Sequence, residues 1–251
     1  MFNRLKQLAP DLVTIPAGLF LMGSTLAHAE TVAAQFSVAL EWCLREVPQH
    51  TVELPTFQIS RGPVSCAEYY VFVQTTAYPV PAYWKGPQPP AALSDHPVVG
   101  VCFADALAYC EWLNATTGRA FRLPSEAEWE KAARGDDGRV FPWGDAWDST
   151  LCNTAEGGPG ETTPVGYYPQ GASPYGCVDM AGNVEEWTGS LYNAYPGSNL
   201  ALPETDSMVL RGGCWNDGGE LARCAGRRGV LPDLRGPALG FRVVCDASES
   251  A

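Results

Sequence analysis

"VLRGGCWNDGGELARCAGRRGVLPDLRGPALGFRVVC", Val209 to Cys245, is the stretch on which the reading of the fold turns. Its ends, "VLRGGCW" and "GFRVV", are short apolar runs bounded by glycines and aromatics, as strands are. The chain between them follows neither a helical nor a two-residue period and is dense in glycine, so it reads as turns and irregular backbone. Six arginines fall within it: Arg211, Arg223, Arg227, Arg228, Arg235 and Arg242. The planar fork of arginine suits buried pairing with carboxylates. That reading outweighs a local basic patch, which stays open.

Outside this stretch, composition sets the limits. The 251 residues are 46% hydrophobic, with 26 glycines and 21 prolines spread along the whole length. Such a chain describes one domain, residues 1–251, rich in ordered loops. A formal net charge of −12 repels a phosphate backbone, so nucleic acid is excluded as a general partner. No run of about 20 apolar residues is present to span a bilayer, and no membrane insertion is expected. "MFNRLKQLAPDLVTIPAGLFLMGSTLAHAE" has the early charge, short apolar run and Ala-x-Ala of an export leader. Pro10, Asp11 and Pro16 interrupt it, and a folded strand is the better reading. The chain is therefore expected to be cytoplasmic as synthesised, with display on a cell or virion surface left open. The nine cysteines form no CxxC pair. Several, such as Cys110 in "ALAYCEWL", lie in apolar runs where a thiol acts as a small hydrophobe. A reducing compartment is expected, and disulfide pairing is left open.

Local patterns place the elements. "LVTIPAGLFLMGS" reads as two short strands turning at Pro16-Ala17-Gly18, and "HTVELPTFQIS" as a half-buried strand. Ser65 with Glu68 and Ser125 with Glu128 are capping boxes that open helices. Between them, "FADALAYCEWLNATTG" has Phe103, Ala106, Leu107, Cys110 and Leu113 at helical spacing, with Gly118 beyond its end. From Phe141 to Gly176 no period survives, so that long stretch must be fixed by its aromatics or by a bound ion.

"IPAGLFLMGS", "HPVVGVCFADALAYCEWLNATTGRAFRLPSEAEWEKAARG", "FPWGD", "YGCVDMAGNVEEWTGSLY", "VLRGGCW" and "GFRVV" together resemble the formylglycine-generating enzyme, or sulfatase-modifying factor, family. The resemblance implies an α+β fold, a loop-rich variant of the C-type lectin fold with short strands and a few helices. It also places "IPAGLFLMGS" in a core strand. The copper enzymes of that family use two cysteines, whose positions here hold Asp217 and Ala222. A carboxylate and a methyl group do not supply the soft coordination that Cu(I) prefers, so no copper is expected and a copper oxidase is the alternative reading. Cys214 and Cys224 are differently spaced. The iron-dependent relatives need a close histidine triad, whereas His28, His50 and His96 lie far apart.

Arg211 to Val244 resembles more closely the variable region of a diversity-generating retroelement target protein. In that pattern the scaffold residues include Arg211, Gly212, Gly213, Trp215, Arg223, Arg227, Arg235, Gly240, Phe241 and Arg242. The residues facing a ligand are then Cys214, Asn216, Asp217, Gly218, Gly219, Cys224, Gly226, Arg228, Gly229, Val230, Leu231, Leu234, Gly236, Pro237 and Ala238, within a variable region 209–245. Val230, Leu231 and Leu234 are expected to form an exposed apolar cluster. The expectation from this resemblance is a non-catalytic binding protein, not an enzyme, whose unknown partner is a macromolecule and most simply a protein. The family resemblance further implies a structural calcium ion at the turn "VDMAGNVEEW", held by Asp179, the carbonyls of Gly182 and Val184, and Glu186. Glu185 and Glu186 are adjacent and read as structural rather than as an acid–base pair.

Overall fold

The computed structural model describes residues 9–202 and 205–246. β1 (Leu12–Ile15) and β2 (Gly18–Met22) come first, and then a segment that the sequence did not announce, α1 (Leu26–Phe36) and α2 (Leu40–Cys43). Residues 9–30 of the leader-like stretch thus hold two strands and the start of a helix, and residues 1–8 lie outside the described residues. Thr25 caps that helix by accepting the His28 N–H at 3.2 Å. β3 (His50–Leu54) and β4 (Phe57–Ser60) follow. The single strand expected over these residues is divided because Pro55 has no N–H to give a ladder, and its halves join different sheets.

α3 (Cys66–Thr76) and α5 (Glu126–Arg134) start at the two expected capping boxes, and α4 (Phe103–Thr117) ends at Gly118 in a left-handed conformation. Local caps decide these boundaries, because each satisfies N–H groups that a helix start leaves bare. The remaining strands are β5 (Phe121–Arg122), β6 (Glu185–Leu191), β7 (Met208–Arg211), β8 (Arg227–Val230), β9 (Leu239–Phe241) and β10 (Val244–Asp246). The sheets run β1-β4-β10-β5, β2-β3 and β8-β7-β6-β9. β9 lies parallel to β6 and β10 antiparallel to β4, so "GFRVVC" passes from one four-stranded sheet to another. β8 is an addition to the expectation, which left that region irregular.

The main core gathers Tyr69, Phe72, Tyr109, Leu113, Trp187 and Phe241 between α3, α4 and the third sheet. A second core holds Ile15, Phe57, Ile59, Trp129, Met180 and Val244. Helix α5 faces it in an unusual way. Eight of its nine residues are buried, Glu126, Glu128, Glu130, Lys131 and Arg134 among them. Charges are buried only when partnered, and these are: Glu130 takes Arg134 and Arg211, Glu126 takes Arg227, and Lys131 Nζ donates to the Pro16 carbonyl at 2.7 Å. In the irregular stretch, Phe141 and Trp143 stack at 5.2 Å with Trp147 beside them, which is packing by aromatics as expected. All nine thiols are buried and none is joined in a disulfide.

Candidate functional site

Beyond β7 the chain turns at Gly212 and Gly213, both at positive φ. A Cβ on Gly213 would lie 2.9 Å from the Leu221 carbonyl carbon, so only glycine lets the two limbs of the segment close up here. The turn that follows is tied by Cys214 N–H to Asp217 Oδ2 at 3.0 Å and Asp217 N–H to the Cys214 carbonyl at 3.0 Å. Glu185, first residue of the adjacent β6, brings its carboxylate to the same place. The ligand atoms of Glu185, Cys214 and Asp217 all lie within 4.8 Å of one another. Arg228 on β8 closes the group through an ion pair with Glu185. The copper family's positions, Asp217 and Ala222, carry no thiol, so what stands here is two carboxylates, one thiol and a guanidinium.

Burial raises the Glu185 pKa to about 7, the Asp217 charge adding to the shift and Arg228 opposing it. Burial, again with Asp217, pushes the Cys214 thiol well up. Cys214 is therefore a protonated hydrogen-bond donor at neutral pH and a poor nucleophile. Asp217 and Arg228 reach a cleft of about 460 Å³ whose walls include Trp42, Arg45, Asn216 and Glu220. Glu185, 3% exposed, stands behind them.

The residues assigned to a variable surface do not share one environment. Cys214, Gly219, Cys224, Gly226 and Ala238 are buried, so the expectation that they face a ligand is corrected. Cys224, for one, packs in the second core beside Trp129. Asp217, Gly218 and Arg228 are half-buried along the cleft and Asn216 is exposed there. Gly229, Val230 and Gly236 are half-buried, while Leu231, Leu234 and Pro237 are exposed. Val230 packs against the main core, so the apolar cluster loses one member to the interior.

The calcium set is also corrected. Glu186 is 0% exposed, and its oxygens accept Arg242 Nε at 2.6 Å, Arg242 Nη2 at 2.7 Å and Trp129 Nε1 at 2.8 Å. A guanidinium already supplies the positive charge. Asp179 accepts the Gly166 N–H at 2.8 Å, and burial raises its pKa to about 6. One such carboxylate with the carbonyls of Gly182 and Val184 is a poor set for a hard dication. These residues do not fit a calcium ion.

Glu185 and Glu186 alternate across β6 as strand neighbours must, and the pair is split: Glu186 is structural, as expected, and Glu185 belongs to the site. Glu185, Arg45 and Trp42 were missed. Period-two alternation was the available signal for Glu185, whereas nothing near Arg45 in the sequence points to Asp217.

The class of protein is a C-type lectin-like α+β fold carrying a polar cluster at the Arg-Gly-Gly turn. Among solved structures, PvdO from Pseudomonas aeruginosa superposes with a TM-score of 0.76 at 28% identity, covering 96% of both chains. The Treponema denticola variable protein 1 superposes at 0.73 and 21% identity, covering 94% of this chain and 95% of that one, and shares the fold. The chain belongs to the sulfatase-modifying factor enzyme 1-like domain family, which it matches over residues 1–247. It is 32% identical over 276 residues to hercynine oxygenase of Mycolicibacterium smegmatis, covering 93% of this chain and 61% of that protein. It is 37% identical over 186 residues to the inactive C-alpha-formylglycine-generating enzyme 2 of Bos taurus, covering 66% and 57%. The formylglycine-generating enzyme of Mycobacterium tuberculosis is 29% identical, with 94% and 98% covered. The chain thus spans only about three fifths of the first two of these relatives. The expectation that the protein is not an enzyme is overturned, since its relatives include proteins named for the reactions they catalyse.

Proposed function

We propose that the chain is an enzyme of the sulfatase-modifying factor family that acts on a small substrate in the cleft by proton transfer at Asp217. The convergence of Glu185, Cys214 and Asp217 within 4.8 Å beside that cleft carries the reading. Asp217 touches the substrate. Glu185 receives the transferred proton, Arg228 keeps it in place, and the protonated Cys214 thiol lies beside both carboxylates. Two carboxylates in different surroundings divide acid and base roles between them.

The test uses the substrates that the relatives' names supply. The purified chain is incubated in D2O with hercynine or with a cysteine-containing peptide, and exchange of a carbon-bound proton for deuterium is followed by mass spectrometry. One of the two exchanges with the wild type, and D217N lowers kcat/KM for exchange by about 100-fold or more, the scale of a lost general base. In the wild type kcat/KM rises through a pH of about 7 as Glu185 ionises. E185Q removes that inflection, which a purely structural role does not predict. Exchange of neither compound, or a D217N variant as active as the wild type, defeats the reading.

A second reading concerns surface rather than catalysis. Leu231 and Leu234 are 57% and 44% exposed on the turn before β9, which supports a macromolecular contact, most simply with a protein, at the region that resembles diversified ones. A near-copy of the coding sequence for residues 211–244 beside a reverse transcriptase gene, differing at adenines, is the expected observation. A complete source genome lacking both elements rejects it.

A further inference from the structure

Each arginine of the 209–245 segment has its own carboxylate: Arg211 has Glu130, Arg223 Glu46, Arg227 Glu126, Arg228 Glu185, Arg235 Asp105 and Arg242 Glu186. Arg45, which lines the cleft with Arg228 and Asp217, has none among the described residues. Its backbone carbonyl accepts Arg227 Nη1 at 3.1 Å, and its guanidinium makes no hydrogen bond to a described residue. A second donor is likewise unmet. Arg228 Nη2 is held by Glu185, but Arg228 Nε is buried without an acceptor. Arg45 is half-buried on the concave wall, so its unpaired guanidinium is a charged donor available to an acceptor from outside, with the unmet Arg228 Nε buried behind the wall.

The remaining walls narrow what that acceptor is. A volume of about 460 Å³ lies in the range of small-molecule sites. Trp42, 56% exposed, offers an aromatic face on the same cleft. Asp217 and Glu220 make part of the lining negative, so a compact dianion such as phosphate meets repulsion there, whereas a molecule with one anionic end does not. Planar two-point bonding to guanidinium favours a carboxylate at that end. Resting on the reading of the cleft as a substrate site, we propose that Arg45 and Arg228 receive the carboxylate of a small molecule whose flat apolar part lies against Trp42 and whose far end meets Asp217.

Benzoate and its uncharged analogue benzamide probe this directly by calorimetry and ligand-observed NMR on the full chain. Benzoate is expected to bind about tenfold more tightly than benzamide, and R45M to abolish that preference. D217N is expected to keep it. Equal binding of the two compounds, an R45M variant with wild-type preference while its circular dichroism and melting are unchanged, or inorganic phosphate displacing benzoate at equal concentration each overturns the assignment. Benzoate reads the cleft without any reaction. If D217N abolishes turnover while benzoate ignores Arg45, the enzyme reading stands and the carboxylate assignment falls. Benzoate selectivity without turnover gives the opposite result.

Discussion

Replacing Arg242 with methionine lowers the unfolding free energy by about 3–5 kcal/mol, because it strands a buried glutamate. Arg242 and Glu186 are both 0% exposed in their side chains. Besides its two bonds to Glu186, the guanidinium donates to the carbonyls of Ser60 at 3.3 Å, Arg61 at 3.2 Å and Val178 at 3.0 Å. These acceptors belong to the end of β4 and to the turn before β6, so one side chain ties together the two four-stranded sheets and the Asp179 loop. Without it Glu186 keeps only the Trp129 indole. A domain is stable by about 5–15 kcal/mol in total, so the loss is a large share. Urea unfolding followed by tryptophan fluorescence measures it. The double variant R242M/E186M is expected to recover part of the loss, since a hydrophobic pair of similar volume often replaces a buried ion pair at little cost. Recovery is incomplete because the Ser60 and Val178 carbonyls lose this donor and the Trp129 indole loses its acceptor. An R242M variant within about 1 kcal/mol of wild type, the scale of a surface pair, shows that the pair is not the tie described here.

The same contrast between local and distant causes decides what could be read from the sequence. Helices α3 and α5 were legible because Ser65 with Glu68 and Ser125 with Glu128 satisfy each other within one turn. β1 and β2 were legible from the proline and glycine between them. α1 was not. Its residues follow an apolar strand and begin with Ala27-His28-Ala29 in the first turn, a pattern that a leader peptide and a folded strand–helix share. The candidate site was legible by half. Asp217 stood out because of the position it occupies, but Glu185 was judged beside Glu186, where its true partners are Cys214 and Arg228, 29 and 43 residues away. Cys224 and Ala238 were placed on the surface by the resemblance to a variable region, whose intervening residues face a ligand. The arginines invert that expectation. By binding backbone carbonyls they let turns without a hydrogen-bonded ladder sit inside the protein, and five of the fifteen surface candidates are buried with them.

Arg211 is where that inversion is strongest, and its loss is expected to loosen the site before it unfolds the protein. Its Nη1 donates to the carbonyls of Ala225 and Gly226, both at 2.8 Å, and its Nη2 to the Cys224 carbonyl at 2.7 Å. Glu130 supplies the counter-charge, and the Trp129 ring lies 5.3 Å beneath the guanidinium. The 224–226 turn connects the Asp217 loop to β8 and so to Arg228. R211M takes the donor from three backbone carbonyls and leaves Glu130 with Arg134 and the Gly23 N–H as its remaining partners, so the change falls toward the lower end of the roughly 3–5 kcal/mol of a broken buried pair. R211K keeps the charge but cannot spread its donors over three carbonyls and a carboxylate, so it recovers little. R228M is the comparison on the neighbouring strand: that side chain is 41% exposed, Glu185 answers the loss by holding its proton to higher pH, and the cost stays near about 1 kcal/mol. Amide hydrogen exchange separates the cases. In R211M the amides from Leu221 to Gly229 lose protection at temperatures where β1 and β4 keep theirs, and in R228M they do not. Equal protection across that turn in R211M and wild type means the carbonyl fork is dispensable, and the account of how an irregular segment is held inside this fold fails with it.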